Sequence, residues 1–89
     1  MIGGFTFGEA IGELKQGGRV ARAGWNGKGM WLGLVQGHDY NAAKGCATVH
    51  ALGCEQLPWI GMKTADNKFV PWLASQTDML AEDWVVLDA

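Results

Sequence analysis

His38, Cys46, His50 and Cys54 are the only histidines and cysteines in the chain, and all four fall between residues 37 and 56. Their Cys-x3-His-x3-Cys spacing sets soft ligands at separations that zinc accepts. The familiar structural sites pair their ligands more tightly, as Cys-x2-Cys with His-x3-His, and Val49 and Leu52 share this stretch. Cysteines buried as small apolar groups are therefore the favoured reading, and no metal or other cofactor is expected. A disulfide between Cys46 and Cys54 is disfavoured in a chain that reads as cytoplasmic.

Catalytic chemistry has few parts to work with. A serine or cysteine nucleophile needs a base and an orienting group, yet both histidines sit in that same stretch and no G-x-S-x-G elbow is present. Glu82 and Asp83 are adjacent with Asp78 near them, a conceivable acid/base pair, but neighbouring acids are most often a solvated face. An enzyme is not expected. For phosphate there is no P-loop and no G-x-G-x-x-G. Arg19, Arg22 and Lys28 surround a tryptophan turn instead, and a helix beginning at Phe7 would offer N–H groups to an anion. For Arg19 and Arg22 the favoured expectation is solvent exposure at alternate strand positions.

That turn, Arg22-Ala-Gly-Trp-Asn-Gly27, is the clearest binding signal. Five tryptophans in 89 residues exceed what one small core needs. Trp25 has glycines and an asparagine around it, so a partner can approach its rigid, flat face. Two readings stay open for Trp25: a core residue, or a platform that stacks on a base or ring.

Composition bounds the rest. At 89 residues the chain is one domain near the lower size limit for a self-sufficient core, so association between copies is expected. A net charge of -2 argues against a binder of DNA or RNA polymers, which needs a basic stripe, but not against one small anionic ligand. Met1-Ile-Gly-Gly-Phe-Thr-Phe has no basic region before an apolar run, and nowhere do 18 apolar residues stand together. Secretion and membrane spanning are not expected.

These residues need a scaffold. Thr6 and Glu9 form a T-x-x-E capping box, Phe7, Ala10, Ile11 and Leu14 recur at helical spacing, and Gly17-Gly18 supply the stop, which predicts a helix over about 7–16. Gly8 and Gly12 within it suggest close packing of the helix on a sheet. Strands are expected at 19–22 and 30–35, the latter apolar on both faces and so central or at a subunit contact. Residues 57–64 and 68–72 read as a hairpin around Ala65-Asp-Asn67, with Pro58 and Pro71 at strand ends or on an edge. Ser75-Gln-Thr-Asp78 caps a single helical turn before a last strand at 84–87. The sum is an α+β fold, one N-terminal helix on a small, mainly antiparallel sheet, with a long variable loop over 37–56.

Three stretches in this order resemble a known family: Phe7-Gly-Glu-Ala-Ile with Val20-Ala-Arg-Ala-Gly-Trp-Asn-Gly27, Leu57-Pro-Trp-Ile-Gly-Met-Lys-Thr64, and Trp72-Leu-Ala-Ser-Gln-Thr-Asp-Met-Leu-Ala-Glu-Asp-Trp84. Together they look like the second type of Thoeris anti-defence protein, small phage and prophage proteins long described as a domain of unknown function. The resemblance implies a sponge that holds cyclic ADP-ribose isomers made by bacterial Thoeris immunity, without cleaving them, in the host cytoplasm. It implies homotetramers with pockets between subunits, and some relatives take cyclic di- or trinucleotides of the CBASS type at separate sites. By resemblance Phe7 and Trp25 would sandwich adenine, while Ala65, Asp66, Gln76, Thr77 and Asp83 or Asp88 would meet ribose hydroxyls or the adenine amino group. Arg22, Asn26 and Lys28 are added from their charge and position as pyrophosphate contacts. No family motif matches the loop with His38, Cys46, His50 and Cys54.

Overall fold

A computed structural model describes residues 2–25, 29–36 and 57–87. Its elements are strand β1 (Ile2–Phe5), helix α1 (Phe7–Lys15), β2 (Arg19–Arg22), a 3-10 turn (Ala23–Trp25), β3 (Trp31–Val35), β4 (Trp59–Lys63), β5 (Phe69–Pro71), a short helix α2 (Gln76–Leu80) and β6 (Trp84–Leu87). The strands make one six-stranded sheet in the order β1-β6-β2-β3-β4-β5, with every neighbouring pair antiparallel.

Both helices begin where their capping residues dictate. Thr6 accepts from the backbone N–H of Glu9, whose carboxylate accepts in return from the N–H of Thr6. Ser75 and Asp78 repeat that reciprocal arrangement for α2. Each pair satisfies two N–H groups that a helix start otherwise leaves without a partner. Helix α1 lays Ala10 and Leu14 on the sheet against Val20, Leu32 and Trp84, and these five form one buried cluster, with Ala21 also buried among the described residues. Gly8 and Gly12 face the other way: both are exposed, and a Cβ at Gly12 would meet nothing within 4 Å. The close packing expected at these two glycines is absent, because Ala10 and Leu14 carry the contact.

The hairpin β4–β5 turns through Ala65-Asp-Asn67, where Asn67 takes a left-handed φ of 66°. Asparagine tolerates that region better than most residues. Pro71 ends β5, which is an edge strand, so its missing N–H costs the ladder nothing. Strand β1 has no counterpart among the expected elements. It pairs with β6 through a register shift between Gly3 and Phe5, and its two glycines carry no strand signal of their own.

Gly61 is fixed by what lies over it. A Cβ built there would run into the ring of Phe69 and come within 3.1 Å of Trp59. Gly61→Val is expected to lower stability by about 1–3 kcal/mol through overpacking, read as a fall in thermal midpoint together with a shift in tryptophan emission. An unchanged midpoint would mean that the two rings swing away freely.

Candidate functional site: an aromatic cluster locked by an ion triad

Four aromatic rings meet where β1 and β2 end and β6 begins. Trp84 opens β6 and is fully buried, and its indole N–H donates to the Asp78 carbonyl at 3.0 Å. Phe7, the first residue of α1, lies 5.5 Å from Trp84 between ring centroids. Trp25 closes the 3-10 turn and meets Trp84 edge-on at 5.8 Å. Trp72 meets Trp84 edge-on at 6.1 Å and Phe7 at 6.2 Å. In the two contacts of Trp84 with Trp25 and Trp72, at 79° and 87°, the positive ring edge faces a neighbour's negative face, whereas Phe7 packs at a tilt. Phe7, Trp25 and Trp72 are half-buried around Trp84, so Trp25 is both a core contact and a partly open ring.

Beside the rings stands a charged lock. The Arg22 guanidinium donates from Nη1 to Asp78 at 3.0 Å and from Nε to Asp83 at 2.9 Å. The Asp83 carbonyl also accepts the backbone N–H of Ala23. Asp78 spends one carboxylate oxygen on Arg22 and the other on the backbone N–H and hydroxyl of Ser75. One residue thus caps α2, ties it to β2 and, through its carbonyl, anchors Trp84. The solvent exposure expected at Arg22 gives way to this network, since a guanidinium between two carboxylates makes charge-assisted bonds, while Glu82 is exposed and the Asp83 side chain stays 40% exposed, as a solvated face would be. Arg19 is half-buried too: its guanidinium lies 5.2 Å over the Trp31 ring, a cation–π contact on the opposite face of the sheet.

Burial pulls the Asp78 carboxyl upward, but the Ser75 N–H, the Ser75 hydroxyl and Arg22 together outweigh it and hold the group below the ordinary carboxylate range. Hydrogen bonds from Arg22 to Asp83 and then to Asp78 raise the guanidinium in turn, so it stays charged. The unfolded chain takes up the Asp78 proton near pH 3.9, and the folded chain only at lower pH. The stabilisation is therefore complete above that value and disappears as pH falls through the folded value. Asp78→Asn is expected to cost about 1 kcal/mol at neutral pH, with the gap from wild type shrinking below roughly pH 4. Denaturant unfolding at a series of falling pH values checks this; a gap that stays constant down to the lowest pH at which the protein folds would refute it.

Four of the eleven expected contacts meet in this cluster. Phe7, Trp25, Arg22 and Asp83 form it, and Gln76 and Thr77 stand exposed in the first turn of α2, next to Asp78. Ala65 and Asp66 do not reach it within one protomer: they lie in the β4–β5 turn, and β3 and β4 separate β5 from β2. There Asp66 bonds the Thr64 hydroxyl and pairs with Lys68, and these contacts hold its carboxyl low. Asn26, Lys28 and Asp88, and the loop with His38, Cys46, His50 and Cys54, lie outside the described residues. Among the described residues no cluster of three His, Cys, Asp or Glu could hold a metal ion, and no helix is long and apolar enough to cross a membrane. Trp84 and Trp72, both central, are missing from the contacts read off the sequence; the signal available was a tryptophan just beyond each end of a capped helical turn.

The family model described as the Thoeris anti-defense 2-like domain matches residues 5–87, which takes in every member of the cluster. The chain belongs to the Thoeris anti-defense 2-like family. A relative from Bacillus phage SP01, named Thoeris anti-defense 2, is 43% identical over 89 residues, covering 92% of this chain and 93% of that protein. Family membership supports a phage anti-defence role. Among the described residues of this Thoeris anti-defense 2-like fold, the aromatic cluster is a place where partly open rings are flanked by polar groups.

Proposed function

We propose that this protein is a signal sponge: it binds cyclic ADP-ribose isomers of Thoeris immunity in the host cytoplasm and holds them without turnover, as a homotetramer with pockets between subunits. The observation that carries this reading is the Phe7, Trp25 and Trp84 cluster in a chain of the Thoeris anti-defense 2-like family. Trp84 fixes the two outer rings, and a rigid pair of aromatic faces binds a base with little entropy left to lose. Within a protomer Trp84 contacts both Phe7 and Trp25, so adenine would stack on their outer faces, completed by a neighbouring copy.

The cluster suits binding better than catalysis. Asp83 and Asp78, the carboxylates nearest the rings, are committed to Arg22, and Asp78 is held ionised. A general base needs a carboxylate free to accept a proton. Arg22 is neutralised by these two carboxylates and has only its remaining N–H donors to offer a pyrophosphate at the same edge, while Gln76 and Thr77 offer hydrogen bonds to ribose.

Isothermal titration with cyclic ADP-ribose isomers and with cyclic di- and trinucleotides, followed by heat release and chromatography, tests the proposal. Tight binding with the ligand recovered intact supports the sponge. Product accumulating with time would show an enzyme instead, and the absence of heat with every ligand would remove the sponge reading.

A further inference from the structure

Helix α2 (Gln76–Leu80) has little of its own to hold it. Its five residues fall well short of the roughly 12 at which an isolated helix becomes even marginal in water. None of them is buried, and its two large apolar side chains, Met79 and Leu80, are exposed. Trp72 and Ala81 pack against the core on either side, which fixes where the chain enters and leaves this turn but not how the turn is rolled about its axis. Among the described residues, the ties that set the roll belong to Asp78. Its Oδ1 accepts from Arg22 of β2 at 3.0 Å, its Oδ2 accepts from the Ser75 N–H at 3.0 Å and hydroxyl at 2.8 Å, and its carbonyl accepts the Trp84 indole N–H at 3.0 Å.

We propose that the Asp78 carboxylate is a positioning residue for the nucleotide: it holds the first turn of α2 in the register that sets Gln76 and Thr77 beside the Phe7 and Trp25 rings. The inference rests on the sponge reading and adds to it a residue that touches no ligand. Both carboxylate oxygens are engaged and the side chain is only 16% exposed, so Asp78 serves the ligand through its neighbours rather than by contact. Gln76 and Thr77, by contrast, are exposed in that first turn. A hydrogen bond weakens steeply once its geometry drifts, so a turn free to roll would offer ribose the same groups at a higher ordering cost. Asparagine is the telling substitute at position 78. It keeps the shape but has one oxygen for two tasks: accepting from Ser75 leaves its amide N–H2 facing the guanidinium, and accepting from Arg22 leaves the Ser75 N–H without its partner.

Titration calorimetry and stopped-flow release with each cyclic ADP-ribose isomer test this on wild type, Asp78→Asn, Gly17→Ala, the double variant Gln76→Ala/Thr77→Ala, and that double variant with Asp78→Asn added. Gly17 follows α1 at the end remote from Phe7 and takes a left-handed φ of 90°, so alanine there strains the backbone and lowers the thermal midpoint without touching the rings. Asp78→Asn is expected to bind about tenfold more weakly, the size of one hydrogen bond lost, and through faster release. Gly17→Ala should bind within about twofold of wild type although its midpoint also falls. With Gln76 and Thr77 already replaced, Asp78→Asn should cost no more than about twofold further, because it acts through them. Unchanged binding by Asp78→Asn overturns the inference and leaves the sponge standing. So does an equal loss in Gly17→Ala, which would mark a plain stability effect, or an undiminished loss in the double background. A wild type that binds no isomer overturns both.

Discussion

Trp84→Ala is expected to cost about 3–5 kcal/mol of folding stability, most of what an 89-residue domain has to spare. Trp84 is fully buried, touches Phe7, Trp25 and Trp72, and belongs to the five-residue buried cluster beneath α1. Removing the indole leaves a cavity that three rings, held by their own backbones, cannot close. It also ends the bond from the indole N–H to the Asp78 carbonyl. At about 4–8 °C per kcal/mol for a domain of this size, the thermal midpoint should fall by at least 12 °C. Trp84→Phe separates the causes, since it keeps most of the ring and loses the donor, and should cost about 1–2 kcal/mol. Calorimetry at one fixed protein concentration makes the comparison, because association adds to apparent stability. A drop of less than 5 °C for Trp84→Ala would mean that the cluster is not the keystone of the core.

The helix was readable because its start is written locally: Thr6 and Glu9 close the capping box, and Phe7, Ala10, Ile11 and Leu14 supply the stripe. The hairpin was readable for the same reason, since Asn67 carries the unusual backbone angle. Strand β1 was not, because a glycine-rich edge strand is defined by its partner β6 rather than by its own residues. The candidate site divides in the same way. Trp25 and Phe7 stand out from composition and neighbours, whereas the Arg22, Asp78 and Asp83 network joins residues 56 and 61 positions apart. Nothing local distinguishes an arginine bound for two carboxylates from one bound for solvent. Likewise the apolar two-sided character of β3 was legible, but the row of Trp31, Phe69 and Trp59 rings needs the pairing of β3 with β4 and β4 with β5 to exist at all.

Trp25→Ala should weaken binding of a cyclic ADP-ribose isomer by roughly 5- to 150-fold, the worth of about 1–3 kcal/mol for one base–aromatic stack, and mostly through faster release. Trp25 closes a 3-10 turn rather than sitting within a strand, is only half-buried and touches the core by one edge. Its loss should therefore leave the fold standing, in contrast to Trp84. Phe7→Ala should weaken binding by a similar factor but also lower the midpoint, because Phe7 opens α1 and packs against both Trp72 and Trp84. The two effects are not expected to add: both rings lean on Trp84, and a change in one alters the seat of the other. Titration calorimetry with the two single variants and the double variant, alongside sedimentation of each, separates the possibilities. If Trp25→Ala binds like wild type, adenine does not stack there and the sponge reading loses its pocket. If instead the variant dissociates into smaller species while the remaining oligomer binds normally, Trp25 is an anchor between copies and the ligand lies elsewhere.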